Sequence, residues 1–187
     1  MSSYKARFQE AIERTARIGA TAPTVAYTED LYLTQNAQEM FSDHIRNTMG
    51  ELSSEDVVAQ CLTLHLRSQA PLKALLGCDV LYTIGWVQYE TGKNMFEFNE
   101  EFALQLMQKK HRISEQIKMH AWLTLPSMEI IDMSIATSIG YFQKRPEMYG
   151  SVIAKHADEL TGGMAYRPMI VGEDYLFKSG LAQFRHE

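Results

Sequence analysis

The segment from residue 79 to residue 90 restricts the fold more than any other part of the chain. It is rich in Val, Leu, Tyr, Thr, Ile and Trp, and its charged residues stand only at the two ends. Side chains of these types fit a pleated sheet, and a run without alternating polar residues is typical of a strand buried on both faces. Together with the helical patterns elsewhere in the chain, this strand predicts an α+β fold.

Apolar residues at helical spacing predict helices on either side of this strand in the chain. The predicted helices cover residues 3–18, 34–48, 99–110, 134–142 and 146–160. The second of them is expected to bury Ala37, Met40, Phe41 and Ile45. A loop is expected at residues 20–33, and further strands at 118–125, 128–133 and 166–171.

Length and composition indicate a single domain over residues 1–187. A chain of 187 residues buries enough surface to fold without disulfides, and no repeat or linker divides it. A net charge of −5 argues against a nucleic-acid partner. The sequence has neither a secretory signal nor an apolar run long enough to span a membrane. We therefore expect a soluble, cytoplasmic protein without a membrane partner, in which Cys61 and Cys78 are free thiols.

Cys61 lies in a predicted helix that starts at Ser53 or Ser54. A serine hydroxyl can cap the first amides of a helix, and the two acidic residues that follow suit its positive end. Periodicity alone continues this helix through Cys61. Pro71 is then expected to break or kink it, before a last turn that ends at Gly77.

His120 and Asp132 lie on two predicted strands that follow each other in the chain. If these strands form a hairpin whose loop of three or five residues is centred on Pro126, His120 lies directly opposite Asp132. Opposed residues point to the same face of a sheet. The carboxylate is therefore expected beside the imidazole.

Cys61, His120 and Asp132 are the residue types of a thiol acyl-transfer site. A cysteine becomes a nucleophile when a helix amino end or a neighbouring imidazole favours its thiolate, and the imidazole needs an acceptor for its other nitrogen. Taken singly, each residue has an ordinary explanation: a helical cysteine is most often core, and an aspartate at a strand end is most often solvated. By their ligand types, the same three residues could also bind a metal ion.

Other motifs do not support a metal or a cofactor. The chain has no Cys-x-x-Cys or His-Glu-x-x-His pair, so we expect no metal site. It has no phosphate-binding glycine loop and no dinucleotide-binding motif, so we expect no cofactor.

The order of these motifs resembles the core of the transglutaminase-like superfamily of papain-fold thiol enzymes. That core runs from a helix-borne Cys through an apolar helix ending in Leu-Gly to a strand closing on Gly-Tyr, and then to His-Ala-Trp and to an apolar pair before Asp. The matching segments here are Cys61, Leu76-Gly77, Gly85-Trp86, His120-Ala121-Trp122 and Ile130-Ile131-Asp132. The resemblance implies a papain-like core at about residues 53–135, with the Cys-bearing helix packed on an antiparallel sheet and flanking helices around it.

The resemblance also implies roles for these residues. Cys61 is the expected nucleophile, His120 the general base and then acid, and Asp132 the group that orients the imidazole. The resemblance implies a break in the helix between Val57 and Gln60, whereas the periodicity predicts a continuous helix.

Substrate contacts are implied less specifically. The Cys61 amide is one expected oxyanion donor, and Gln60, Gln35 and Asn36 are open candidates for the second. Trp122, two residues from His120, is a candidate wall of the substrate cleft.

Three functions remain open on the sequence. The first is a peptidase, amidase or transamidase acting on a peptide or protein amide. The second is acetyl transfer as in arylamine acetyltransferases, although their Arg-Gly-Gly-x-Cys motif is missing before Cys61. The third is a catalytically inactive binding or assembly module on the same fold. Two further titratable residues are assigned structural roles: His65 as a core or partly exposed residue, and Cys78 as a buried small residue.

Overall fold

A computed structural model of the protein describes residues 2–90, 92–109 and 118–182. The fold is mixed α+β, with antiparallel strand pairs, as predicted. The helices are α1 Tyr4–Arg17, α2 Gln35–Met49, α3 Ser54–Val57, α4 Cys61–Leu76, α5 Glu100–Lys109, α6 Ile135–Gln143 and α7 Asp174–Ser179. The strands are β1 Leu81–Glu90, β2 Lys93–Met95, β3 His120–Thr124, β4 Glu129–Asp132, β5 Ile153–His156 and β6 Ala165–Val171. Over the described ranges, no helix is both long and apolar enough to cross a membrane.

The chain divides into two compact units, each assembled from segments that are distant in sequence. The first unit comprises Met1–Thr24, Thr83–His120 and Leu160–Glu187. The second comprises Val25–Tyr82 and Ala121–Glu159. The segment 53–135 contributes to both units, and its description as one papain-like core within a single domain stays a prediction.

In the first unit, β1 pairs antiparallel with β2 and with β6, and α1 packs on β6. The helix buries one face because its apolar residues Tyr4, Phe8 and Ala11 recur at helical spacing. Thr15 continues this face and is fully buried. Its hydroxyl accepts the Val171 N–H at 2.8 Å, which joins α1 to the end of β6.

In the second unit, β4 lies between β3 and β5 and is antiparallel to both. Helix α2 packs against α4, and α3 against α6. The β3–β4 hairpin closes with the Leu125 N–H donating to the Glu129 carbonyl at 2.9 Å. Met128, the last loop residue, has a left-handed φ of 67°. A loop of about three residues that ends in this conformation is a common hairpin connection.

Most predicted elements are confirmed. Helices α1, α2, α5 and α6 and strands β1, β3, β4 and β6 lie within the predicted segments or within two residues of them. Phe41 and Ile45 are buried on α2 as expected, and Ala37 is half-buried. Met40 is 49% exposed, so its predicted burial is wrong. Its position on the helix leaves it outside the buried stripe.

The helix predicted at residues 146–160 is wrong. A short 3-10 turn at Pro146–Met148 is followed by Gly150 with a left-handed φ of 73°, which ends the helical path. The chain then forms β5, in which Ala154 pairs with Ile131 of β4. The apolar side chains of this segment recur at helical spacing, but the segment forms a strand because pairing with β4 provides hydrogen bonds for its backbone.

Candidate functional site

The chain turns sharply just before Cys61. Ser53 and Asp56 form a capping box that starts α3, but this helix lasts only from Ser54 to Val57. Ala59 has a left-handed φ of 58°, a conformation that opposes continuation of the helix and costs an alanine about 1–2 kcal/mol. Helix α4 then begins at Cys61. The continuous helix predicted from periodicity is therefore wrong, and the break implied between Val57 and Gln60 is present.

Cys61 is consequently the first residue of a 16-residue helix. The helix runs on through Pro71, so a break at this proline is not observed and that expectation is wrong. It ends at Gly77, whose left-handed φ of 67° is typical of a helix end. The unbonded amides and the dipole of a helix amino end stabilise a negative charge there. Cys61 is not part of a disulfide and is partly exposed. The Cys61 thiol therefore lies at the amino end of a helix and is accessible to reagents.

His65, one turn after Cys61, is completely buried, as expected for a core residue. Its Nε2 accepts the Met133 N–H at 3.0 Å. Because Nε2 uses its lone pair in this way, the ring proton of the neutral imidazole is on Nδ1. Nδ1 lies 2.8 Å from the Cys61 carbonyl oxygen and donates to it. Both ring nitrogens are thus engaged with backbone groups on either side of the ring.

Asp132 is the last residue of β4 and is completely buried. Its Oδ1 accepts three hydrogen bonds: the Ser134 N–H at 2.9 Å, the Ser134 hydroxyl at 3.1 Å and the Ile135 N–H at 3.0 Å. These donors belong to the start of α6. Hydrogen bonds to the charged form and the positive helix end both stabilise a carboxylate, and they act against the unfavourable effect of burial.

The side chains of His65 and Asp132 approach each other in the second unit. Nε2 of His65 lies 3.6 Å from Oδ1 of Asp132. This distance is too long for a hydrogen bond, and Nε2 already accepts the Met133 N–H. The contact is therefore one between a neutral imidazole and a carboxylate. The His65 ring thus contacts both the Asp132 side chain and the backbone of Cys61.

His120 belongs to the first unit and is 2% exposed. Its ring stacks on Phe96 with centroids 5.4 Å apart and planes 20° apart, and it lies 6.5 Å from the ring of Tyr166. Phe96 has a left-handed φ of 64°, which is rare for a bulky side chain. The imidazole is thus held among aromatic rings.

The hairpin register differs from the predicted one. Leu123 pairs with Ile131 and Thr124 with Ile130, so the three-residue loop is centred on Ser127 and not on Pro126. Continued along the strands, this register puts Trp122 opposite Asp132. The directly opposed pairing of His120 with Asp132 is therefore wrong. The triad of Cys61, His120 and Asp132 stays a prediction.

The predicted substrate contacts have the following positions. Trp122 is completely buried and is among the largest core side chains, a position that does not favour substrate contact. Gln60 is the residue before α4, and its side chain makes no cap hydrogen bond to that helix. Gln35 and Asn36 lie on the first turn of α2 and bond to side chains one turn later in α2. Their assignment as oxyanion donors stays a prediction.

Two clefts of the second unit are lined by residues next in sequence to the proposed site, Met133 beside Asp132 and Gln60 beside Cys61. One has a volume of about 520 Å³ and extends from Phe41 and Ile45 of α2 to Val57 and Met133. The other has a volume of about 330 Å³ and is lined by Gln60 and the adjacent face of α4. Both volumes are in or near the range of small-ligand sites. Val57 precedes the interruption of the helix at Ala59, and Met133 follows Asp132.

Cys78 is buried, as predicted. Burial, helped by the nearby carboxylates of Asp79 and Glu129, raises the pKa of its thiol to about 11. A thiol of this kind is protonated at neutral pH and is a poor nucleophile. Over the described part of the chain, no group of three or more His, Cys, Asp and Glu residues could hold a metal ion.

No protein-family model, no curated protein and no solved structure that was compared with the chain matches it.

Sequence reasoning missed the contact of His65 with Asp132. A weak signal was present only for the bond of His65 to the Cys61 turn, because residues four apart share a helix face and a buried imidazole needs two hydrogen-bond partners. His65 therefore had to find partners near Cys61 if it was buried. The identity of the second partner, the Met133 amide, depends on how β4 ends and could not be deduced.

Proposed function

We propose that the protein is a thiol enzyme acting on amides, with Cys61 as nucleophile, His120 as general base and acid, and Asp132 as the group that orients His120. The proposal includes a papain-like, transglutaminase-like core. The observation that carries it is the position of Cys61, partly exposed at the first residue of a long helix directly after a strained turn. Strained backbone next to a potential nucleophile is a common feature of functional sites.

The chemistry follows from the residue types. The Cys61 thiolate attacks the amide carbonyl carbon, and the carbonyl oxygen becomes an oxyanion near the Cys61 amide. The His120 imidazolium gives its proton to the leaving nitrogen as the carbon–nitrogen bond breaks, which leaves a thioester on Cys61. Water releases the acyl group as an acid, and a second amine releases it as a new amide. The first outcome is hydrolysis and the second is transamidation.

Asp132 supports the proposal through its environment. The hydrogen bonds at the start of α6 stabilise a buried carboxylate in its charged form. A buried carboxylate that stays ionised is the group an imidazolium needs for orientation and charge balance.

Two clefts of the second unit, lined by residues close in sequence to the proposed site, offer space for a ligand. One is lined by Val57 and Met133 and the other by Gln60, and Cys61 itself is not among the lining residues of either. The wider cleft combines apolar walls such as Phe41 with Arg46 and Glu51. We assign a peptide or protein amide as the substrate class because the family resemblance implies it, and these clefts are the candidate sites for the chain that flanks the amide.

An inactive binding or assembly module is the second candidate. It is favoured by the bonds of Asp132, because capping α6 gives this residue a structural role that requires no catalysis. The two candidates differ in whether Cys61 takes up an acyl group.

Acyl transfer to Cys61 can be tested without knowing the substrate. We expect p-nitrophenyl acetate at neutral pH to acetylate Cys61 with a burst of p-nitrophenol, detected by peptide mass spectrometry after an acid quench. The Cys61→Ser variant should lose the burst, His120→Ala should slow it by about 100-fold or more, and the matched control Cys78→Ser should keep it. Equal bursts in wild type and Cys61→Ser, or in wild type and His120→Ala, would contradict the proposal.

A further inference from the structure

We propose that His65 is a positioning residue that fixes the first turn of α4 relative to Asp132. This inference rests on the proposed function, because it concerns the placement of the nucleophile Cys61 and of the carboxylate. His65 touches both residues of that site: its Nδ1 bonds to the Cys61 carbonyl, and its Nε2 lies 3.6 Å from Asp132.

The two hydrogen bonds of His65 leave from opposite sides of one rigid ring. One ends on the Cys61 carbonyl at 2.8 Å, and the other comes from the Met133 amide at 3.0 Å. The ring does not bend, so it sets the spacing between the first turn of α4 and the end of β4. Met133 directly follows Asp132, and Asp132 in turn is bonded to the start of α6. A shift of His65 would therefore move Cys61 and Asp132 relative to each other.

The hydrogen bonds of the His65 ring exclude it as the general base. The neutral imidazole has one donor and one acceptor, and both are used by backbone groups inside the protein. To accept a proton from the thiol, Nε2 would have to give up the buried Met133 amide. His65 therefore acts through other residues.

A second bond to the same turn provides a matched control. The Tyr82 hydroxyl donates to the Leu62 carbonyl at 2.9 Å. This bond also fastens the first turn of α4, but it involves neither Asp132 nor Met133. If His65 only stabilised the helix, loss of the Tyr82 hydroxyl would have the same effect on Cys61 as loss of the imidazole.

Conservative variants separate the two bonds of His65. In His65→Gln the side-chain carbonyl can take the place of Nε2 and accept the Met133 N–H. In His65→Asn the shorter amide can take the place of Nδ1 and donate to the Cys61 carbonyl, but it does not reach Met133. His65→Leu fills the space and removes both bonds.

The test compares the iodoacetamide alkylation rate of Cys61 at neutral pH in these variants with Tyr82→Phe and wild type, all checked for folding by circular dichroism. We expect His65→Leu to lower the rate by about tenfold, since small displacements of reacting groups have large effects. His65→Gln should recover most of it, and Tyr82→Phe should stay within about twofold of wild type. In wild type, ¹⁵N spectra should show His65 protonated on Nδ1 and not on Nε2.

Several results would overturn the proposal. The first is an equal alkylation rate of Cys61 in His65→Gln and His65→Leu. The second is a rate in Tyr82→Phe as low as that in His65→Leu. The third is a ¹⁵N spectrum that shows the His65 ring proton on Nε2. If His120→Ala lowers the Cys61 rate and His65→Leu does not, the inference about His65 alone is wrong. If His120→Ala has no effect, the proposed function is wrong. In that case, faster exchange of the Met133 amide in His65→Leu and His65→Asn, but not in His65→Gln, still supports the positioning of α4.

Discussion

Replacing Asp132 by alanine should strongly destabilise the protein, apart from any effect on catalysis. The carboxylate accepts the N–H groups of Ser134 and Ile135, and both of these residues are fully buried. Without it, two buried amides lose their acceptor at the start of α6. The Ser134 hydroxyl loses a partner as well.

The size of the effect follows from these bonds. A buried donor without a partner costs about 1–3 kcal/mol, and two amide donors lose their acceptor here. Water can enter part of the space that the carboxylate leaves and relieve one of the donors. We therefore expect Asp132→Ala to lower the free energy of unfolding by about 3 kcal/mol. Asp132→Asn keeps an oxygen acceptor and should lower it by about 1–2 kcal/mol.

Urea unfolding followed by circular dichroism measures these differences. Asp43→Ala is the matched control, because the Asp43 side chain is 75% exposed and its ion pair with Arg46 lies on the surface. It should change stability by about 0.5 kcal/mol or less. A loss below about 1 kcal/mol in Asp132→Ala, or equal losses in Asp132→Ala and Asp132→Asn, would refute the capping role.

Two further predictions concern Gly140 and Cys78. A Cβ at Gly140 would lie 2.7 Å from the Arg145 carbonyl oxygen, so we expect Gly140→Ala to lower the free energy of unfolding, measured in urea, by about 2 kcal/mol. Gly77 has a left-handed φ but open space around it, so Gly77→Ala should lower the free energy of unfolding by only about 1 kcal/mol. Burial raises the pKa of Cys78 to about 11, so its contribution to stability is complete below the ordinary thiol pKa of about 8.5 and is lost as the pH rises through the folded value. Stability should therefore fall more steeply with rising alkaline pH in wild type than in Cys78→Ala, and equal slopes would contradict this assignment.

Local signals predicted much of the fold. Ser3 and Thr34 cap α1 and α2, and Gly50 ends α2, because each supplies the geometry or hydrogen bond that a helix end needs. The strand β1 was predicted from its composition. These elements depend on residues close in sequence, and such residues can be interpreted without the rest of the chain.

Features that depend on distant contacts were not predicted. The strand β5 forms because its backbone pairs with β4, and its apolar spacing fits a helix equally well. The hairpin register depends on Met128 taking a left-handed conformation, and a methionine gives no signal for that. Ala59 takes the same conformation without a glycine or asparagine to indicate it.

The candidate site was predicted in part. The position of Cys61 at a helix start was implied by family resemblance and not by periodicity. The bonds of Asp132 to α6 follow the ordinary capping behaviour of aspartate near a helix start. The contact with His65 joins residues that are 67 positions apart, and no local pattern encodes it.

The most direct test of a catalytic Cys61 is its alkylation rate as a function of pH, measured with iodoacetamide on the folded protein. Cys78 serves as the internal reference, because its buried thiol stays protonated. The account predicts that Cys61 in wild type reacts rapidly at pH values where an ordinary thiol, with a pKa of about 8.5, is protonated, and that His120→Ala abolishes this reactivity. A Cys61 that reacts only as an ordinary thiol does, or equally in wild type and His120→Ala, would contradict it.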